Sequence, residues 1–292
     1  MQKNIVAEPQ LAGQGKQKIE WVKRNMPILR QIEDDFRKHQ YFSGLRVLVC
    51  IHLEAKTAYL AQVFAAGGAE VAVTGSNPHS TKDDVVAALA EEGMHVYARY
   101  GATPEEMRQY MNQALDLRPN IMIDDGGDIA ELVHTERQEL LPEVLGACEE
   151  TTTGVLRAKA RAKAGVLEFP VVLINDARCK YLFDNYHGTG QSVWDGVMRT
   201  TNLVVSGKTV VIIGYGWCGK GCAERAQGLG ANVIVCEVDP IKAADALMHG
   251  LRVVPVDQAV LEGDIILTVT GGKLVVRQEH YERMKVGVIL AD

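Results

Sequence analysis

The sequence predicts an α/β fold built from two doubly wound parallel sheets. Three observations carry that prediction. Near-continuous apolar runs rich in valine, isoleucine and leucine alternate with helical patterns along most of the chain. Such runs suit strands of a parallel sheet covered by helices on both faces. The segments 45–74 and 208–237 repeat one plan of strand, turn, helix ending in GGAE or GLGAN, and second strand. At 292 residues the chain is also long for a single core, so two domains are expected.

The strand candidates in order are LRVLVCI, AEVAVTG, MHVYAR, PNIMIDD, PVVLIND, KTVVIIG, ANVIVCE, DIILTVT and VGVILAD. The segment before about Gln40 is helical in pattern, with Pro27 placed to kink or split it. NYHGTGQSVWDGVMRTTNLVVSG carries an amphipathic helix leading into the second sheet, and the domains are expected at 1–185 and 186–292. No low-complexity linker separates them, so the connecting helices are expected to act as hinges.

Composition narrows the function classes. Hydrophobic residues at 47% and charged residues at 23% are the balance of a soluble globular protein. No apolar run reaches about 18 residues and the N-terminus lacks a signal-peptide core, so neither a membrane nor secretion is expected. A net charge of −6 without a lysine or arginine run argues against nucleic acid as a partner. The six cysteines form no C-x-x-C pair, which makes free thiols in a cytoplasmic protein the expectation, with no metal site.

The most specific motif lies in KTVVIIGYGWCGKGCAERAQGLGANVIVCEVDP. Gly214, Gly216 and Gly219 form G-x-G-x-x-G between a strand and a helix, and a second strand ends in Glu237, roughly 20 positions further on. Gly214 permits the tight turn and Gly216 the approach of a pyrophosphate. Gly219 lets the helix pack closely with its N-terminus toward the phosphate charge. Glu237 accepts from ribose hydroxyls and repels a 2′-phosphate, which selects NAD over NADP. Cys218 and Cys222, one helical turn apart, read as small packing residues.

Three polar clusters follow strands in the first part of the chain. IMIDDGGDIA supplies Asp124, Asp125 and Asp128. ACEETTTGV runs Glu149 and Glu150 into Thr151, Thr152 and Thr153. INDARCKYLFDNYHGTG supplies Lys180, Asp184 and Asn185. Lys180 and Asp184 are spaced to share a helix face as an ion pair suited to proton transfer. Each cluster alone is as compatible with a helix cap or a surface salt bridge. Three together at strand ends, with His52 similarly placed, point to a site.

With those residues in view, the chain resembles the S-adenosylhomocysteine hydrolase family over its whole length. DDGGD, EETTTGV, the lysine–FDN segment, GYGWCGKG, EVDP and the Asn77–Ser80–Thr81 turn occur in matching order and spacing. The resemblance implies a substrate domain and a Rossmann NAD domain in a homo-oligomer, a tetramer in the family. It also implies reversible cleavage of S-adenosylhomocysteine to adenosine and homocysteine. The implied cycle oxidises the 3′-hydroxyl, eliminates homocysteine, adds water and restores NAD, with domain closure around the substrate.

Carried over by position, Lys180 and Asp184 bind the ribose hydroxyls and assist oxidation. Asp125 acts near C4′ and C5′ with His52 nearby, and Glu150 holds the ribose. Glu54, Thr57 and Asn77 contact the substrate. Thr151, Thr152, Thr153 and Asn185 reach the nicotinamide end. Gly214, Gly216, Trp217, Cys218, Gly219, Lys220, Gly221, Glu237, Lys242 and Thr270 hold the rest of the NAD.

The chain departs from the family pattern in four places. His52-Leu53-Glu54-Ala55-Lys56 replaces a common His-x-Thr-x-Glu, as in thermophilic and archaeal members, which makes S-inosylhomocysteine an alternative substrate. Lys242 stands where many members have asparagine, and Thr189 where some have cysteine. The sequence stops at Asp292, where the family continues into a Gly-His-Phe-Asp motif, so the NAD domain is expected to be incomplete. Were 292 residues the whole molecule, weak or absent activity and an unstable second domain are expected. A non-catalytic binding protein derived from the family is the rival from another class, and an ordinary dehydrogenase is a third.

Overall fold

The structure is a computed structural model in which residues 4–292 are described; the first three residues of the expected N-terminal helical segment lie outside the described residues. The chain forms two compact units, Met1–Asn175 and Asp176–Asp292. Both are α/β with parallel sheets.

The first unit holds strands β1 (Arg46–Ile51), β2 (Glu70–Gly75), β3 (His95–Tyr97), β4 (Ile121–Asp124), β5 (Gly146–Glu149) and β6 (Val171–Leu173), in the order β3-β2-β1-β4-β5-β6. Every pairing is parallel. Strand order reverses between β1 and β4, and a doubly wound sheet opens its ligand crevice at such a point, outside the strands' C-terminal ends.

Alternate residues of β1 explain why its apolar run is unbroken. Val47 and Val49 pack with Val71 and Val73 under the helices Ala12–Arg24, Ala55–Ala66 and Asp83–Glu91. Leu48 and Cys50 pack with Ala72 and Met122 under Pro104–Leu115 and Asp128–Thr135. With period-two alternation, a strand buried on both faces has no polar face to show. Pro27 splits the N-terminal segment into helices Ala12–Arg24 and Pro27–His39, taking the first turn of the second, where its missing N–H costs nothing. These helices are tied down by Glu33, which is 5% exposed and bonded to Lys23, Arg37 and Tyr59.

The second unit holds β7 (Thr209–Ile213), β8 (Asn232–Cys236), β9 (Arg252–Val253), β10 (Ile265–Thr268) and β11 (Ile289–Ala291), in the order β11-β10-β7-β8-β9. Counted within the unit, that is the first unit's order with one strand fewer, and its switch point lies between β7 and β10. Val210 and Ile212 face one core, Val211 and Ile213 the other.

The expected strands are present, each trimmed at its ends. β5 and β9 were not anticipated, because GACE and RV are short and carry no apolar run. The lysine–FDN segment also differs from a plain helix. A single α-turn, Arg178–Lys180, passes into a π-helix, Tyr181–Gly188, before the helix Thr189–Thr201. Widened turns of this kind are rare and cluster at functional sites.

Candidate active site

At the switch point of the first sheet, β1 delivers His52 and β4 delivers Asp125. The Asp125 carboxylate accepts a hydrogen bond from Ser76 Oγ at 2.7 Å, and its Oδ2 lies 3.5 Å from His52 Nε2. The other ring nitrogen, Nδ1, is 2.7 Å from Ser80 Oγ. Asp125 is nearly buried, with 9% of its side chain exposed, whereas His52 is 54% exposed. The arrangement is a sheltered carboxylate beside an accessible imidazole, a pair able to hold and pass a proton.

Several expected substrate contacts act locally as scaffold. Thr57 Oγ1 donates to the carbonyl of His52 at 2.5 Å and so fixes its backbone. Asn77 Oδ1 accepts from His79 N at 2.8 Å, and its carbonyl accepts from Ser80 and Thr81, which shapes the turn that carries Ser80 to His52. Glu54 caps the helix Ala55–Ala66, accepting from Lys56 N and Thr57 N through Oε1. Ser76 is a contact that sequence reasoning missed; its only signal was a position just after β2.

Glu150 follows β5 and donates its N–H to the carbonyl of Asp124 at 2.9 Å. Thr151 is the N-cap residue of the helix Thr152–Ala164, Thr152 Oγ1 accepts from Asn175 at 3.1 Å, and Thr153 is exposed. Asp124 and Glu149, the first acids of their doublets, are 1% and 2% exposed. Burial raises both carboxyls, that of Asp124 to about 7.

A raised carboxyl favours the folded state while it is protonated. That contribution is complete below the unfolded value of about 4 and is lost as pH rises through about 7. The stability advantage of the wild type over Asp124→Asn should therefore shrink by roughly 4 kcal/mol between pH 4 and pH 8. Urea unfolding at both pH values measures it, and a pH-independent difference would rule it out.

In the second unit, Lys180 is 11% exposed at its side chain and pairs with Asp184 at 3.0 Å. Its Nζ also donates to Asn185 Oδ1 at 3.0 Å, and Asn185 Nδ2 donates to Cys218 Sγ at 3.5 Å. Cys218, at the head of the glycine-loop helix, therefore touches the lysine–FDN segment, and its thiol lies 3.8 Å from Thr189 Oγ1. Cys222 lies inside the core with its thiol pushed up to about 12 by burial. Backbones meet closely here: a Cβ on Gly221 would stand 1.9 Å from the carbonyl oxygen of Tyr186.

The glycine loop fits a dinucleotide. Gly214 has φ +107°, a conformation that favours glycine, and a Cβ there would press on Thr270 Cγ2 at 2.8 Å. A Cβ on Gly219 would stand 2.0 Å from the Gly214 carbonyl oxygen, so only glycine lets the helix Trp217–Gly228 start so near β7. A Cβ on Gly216 would meet nothing within 4 Å, which leaves that side of the loop open to a phosphate. No side chain caps the helix, and its first N–H groups point where an anion would bind.

Glu237 accepts from Tyr215 N at 2.7 Å, Val238 N at 2.8 Å and Asp239 N at 3.0 Å. Burial opposes its charge, but these backbone donors, with Lys242 nearby, hold the carboxyl below its ordinary range. It is thus an anion at the end of β8, where ribose hydroxyls would donate to it. Trp217 stacks on Tyr181 at 4.5 Å, and Lys220 lies over Trp217 and pairs with Asp245. Thr270 Oγ1 accepts from Gly272 N at 3.1 Å. Among the described residues, no group of three or more histidine, cysteine or acidic side chains is placed to hold a metal, and no helix is long and apolar enough to cross a membrane.

A solved structure of a dipicolinate synthase chain from Bacillus halodurans aligns with TM-score 0.50 at 13% identity, over 86% of this chain and 83% of that one, a likeness of fold alone. The chain is 56% identical to an adenosylhomocysteinase of Pyrococcus abyssi and 55% identical to an S-inosyl-L-homocysteine hydrolase of Methanopyrus kandleri. Each alignment spans 98% of this chain and 68% of the relative. Residues 185–292 match the NAD binding domain of S-adenosyl-L-homocysteine hydrolase, so NAD is the cofactor. Residues 3–143 match S-adenosyl-L-homocysteine hydrolase itself, and the chain belongs to that family.

Proposed function

We propose that the protein catalyses reversible hydrolysis of S-adenosyl-L-homocysteine to adenosine and L-homocysteine. The observation that carries this reading is the Asp125–His52 pair at the first sheet's switch point, in a chain that also has a built dinucleotide loop. A thioether at C5′ resists direct hydrolysis; a ketone at C3′ acidifies the C4′ hydrogen and lets the thiol leave. NAD held by the glycine loop and Glu237 would supply the hydride acceptor for oxidation at C3′ and the hydride donor for the later reduction.

The chain's own groups supply the rest. Lys180, held by Asp184 and Asn185, positions the ribose and moves the 3′-hydroxyl proton. Asp125 takes the C4′ proton, and His52 exchanges protons with the departing thiol and the entering water. Glu150 holds the ribose, while Glu54, Thr57 and Asn77 shape the substrate side of the pocket. Gly214, Gly216, Trp217, Cys218, Gly219, Lys220, Gly221, Glu237, Lys242 and Thr270 hold the NAD, and Thr151, Thr152, Thr153 and Asn185 serve its nicotinamide end.

A second reading, S-inosyl-L-homocysteine as substrate, is favoured by the relative of that name at 55% identity. Incubating the NAD-loaded protein with each thioether, and following free thiol and nucleoside, tests both. Turnover of the adenosyl compound with no net NADH is expected. Preference for the inosyl compound selects the second reading, and net NADH would overturn both in favour of a dehydrogenase. We also propose a cytoplasmic homotetramer, which light scattering on the eluted protein checks.

A further inference from the structure

Two carboxylates lie directly beneath the turn that presents Asp125. Asp124 and Glu149 are the last residues of β4 and β5 and stand opposite each other in register. Neighbouring residues on a strand point to opposite faces, so in each doublet the first acid turns inward while the second continues to the strand's end. A buried carboxylate needs donors, and these two take theirs from the backbone. Asp124 Oδ1 accepts from the N–H of Asp125 at 3.0 Å and of Ile129 at 3.4 Å, and Oδ2 from that of Ala130 at 2.9 Å. Glu149 Oε1 accepts from Gly126 N at 2.9 Å and Thr151 N at 3.0 Å.

Those donors belong to the site acid, the turn after it and the starts of two flanking segments. The turn runs through Gly126 at φ +102° and Gly127 at φ +76°, a shape open to glycine without strain, so its position is set by the bonds made to it. From the other side, Arg157 Nη1 donates to the Gly126 carbonyl at 2.6 Å and to Asp128 Oδ1 at 2.7 Å. There is no slack beneath: a Cβ on Gly154 would stand 2.1 Å from Glu149 Cδ.

We propose that Asp124 and Glu149 are positioning residues that clamp the turn from below and thereby set the Asp125 carboxylate against Ser76 and His52. The proposal rests on the reading of Asp125 as the acid–base group. The two acids differ in what an amide can replace. Asp124 accepts on both oxygens, so asparagine forfeits one acceptor and turns an N–H toward a donor. Glu149 receives Gly126 and Thr151 on Oε1, so glutamine with its oxygen there keeps both bonds; Gly127 N–H is a third, weaker backbone donor to the carboxyl.

The test uses Asp124→Asn, Glu149→Ala and Glu149→Gln in the NAD-loaded protein, with steady-state kinetics and residue-resolved amide exchange. Asp124→Asn should lower kcat by about 10- to 100-fold with KM within about threefold, since small misplacements of a catalytic group act on kcat. Glu149→Ala should lower kcat about tenfold, and Glu149→Gln should restore most of it. Amides of Asp125 and Ala130 should exchange faster in Asp124→Asn. The proposal fails if Asp124→Asn and Glu149→Ala lower thermal stability but leave kcat within about twofold, or if glutamine rescues no better than alanine. Should the wild type turn over neither thioether, the functional reading fails, yet exchange still decides the clamp: unchanged Asp125 and Gly126 amides in Asp124→Asn and Glu149→Ala would sink it.

Discussion

If Asp125 is the base of the proposed reaction, Asp125→Asn should lower kcat for thioether hydrolysis by about 10² to 10⁴, with KM changed by less than about threefold. The amide preserves shape and keeps an oxygen that accepts from Ser76, which in the wild type donates at 2.7 Å. It cannot take a proton. The loss therefore falls on the step that needs a base and spares the groups that hold the ribose. Exchange of the C4′ hydrogen of adenosine with deuterated water isolates that step from overall turnover. It should stop in Asp125→Asn and persist, slowed, in Ser76→Ala, which leaves a base in place but frees its carboxylate to wander. If Asp125→Asn exchanges C4′ hydrogen at the wild-type rate, another group is the base. His52 would be the next to test, 3.5 Å away and open to solvent.

What could be foreseen of this site followed from which features leave a periodic trace. The repeated strand–turn–helix–strand plan made both sheets legible, because a strand buried on both faces must be apolar throughout, as Val47 to Cys50 are. The glycine loop was legible because each glycine answers a separate steric need. β5 escaped notice since GACE is four residues bounded by glycine and an acid, and its strand character comes from register with β4. Of the doublets Asp124–Asp125 and Glu149–Glu150, no composition rule says which acid faces inward; that depends on where the strand's alternation stops. The π-helix over Tyr181–Gly188 was also hidden. It brings Lys180 to both Asp184 and Asn185, whereas spacing alone offered only the first pair. Ser76, a short hydroxyl on a loop, carries no sequence signature beyond lying after a strand, and Ser80 is marked only as part of the Asn77–Ser80–Thr81 turn, with nothing to show that it meets His52.

Gly219→Ala should cost the protein both its cofactor and part of its fold, and Gly216→Ala should cost it the cofactor alone. The two positions lie three residues apart in one motif, yet their surroundings are opposite. A methyl group at 219 would stand 2.0 Å from the Gly214 carbonyl oxygen and 3.3 Å from Val269 Cγ2. Neither neighbour is a flexible tip, because Gly214 N is itself bonded to the carbonyl of Cys236 at 2.8 Å. The helix must lift from the sheet, at an overpacking cost of roughly 1–3 kcal/mol, and its N-terminal N–H groups leave the place where they meet a phosphate. A methyl at 216 meets no protein atom within 4 Å and sits on extended backbone at φ −76°, ψ −166°. It would instead occupy the open side from which a pyrophosphate approaches. Both variants should weaken NAD binding by at least about 100-fold, or ~3 kcal/mol, read by titration calorimetry on protein stripped of cofactor. Only Gly219→Ala should lower the urea midpoint of that stripped protein. Equal destabilisation by both would mean that Gly216 serves the fold, and NAD retained by Gly216→Ala would mean that the phosphates lie elsewhere on the loop.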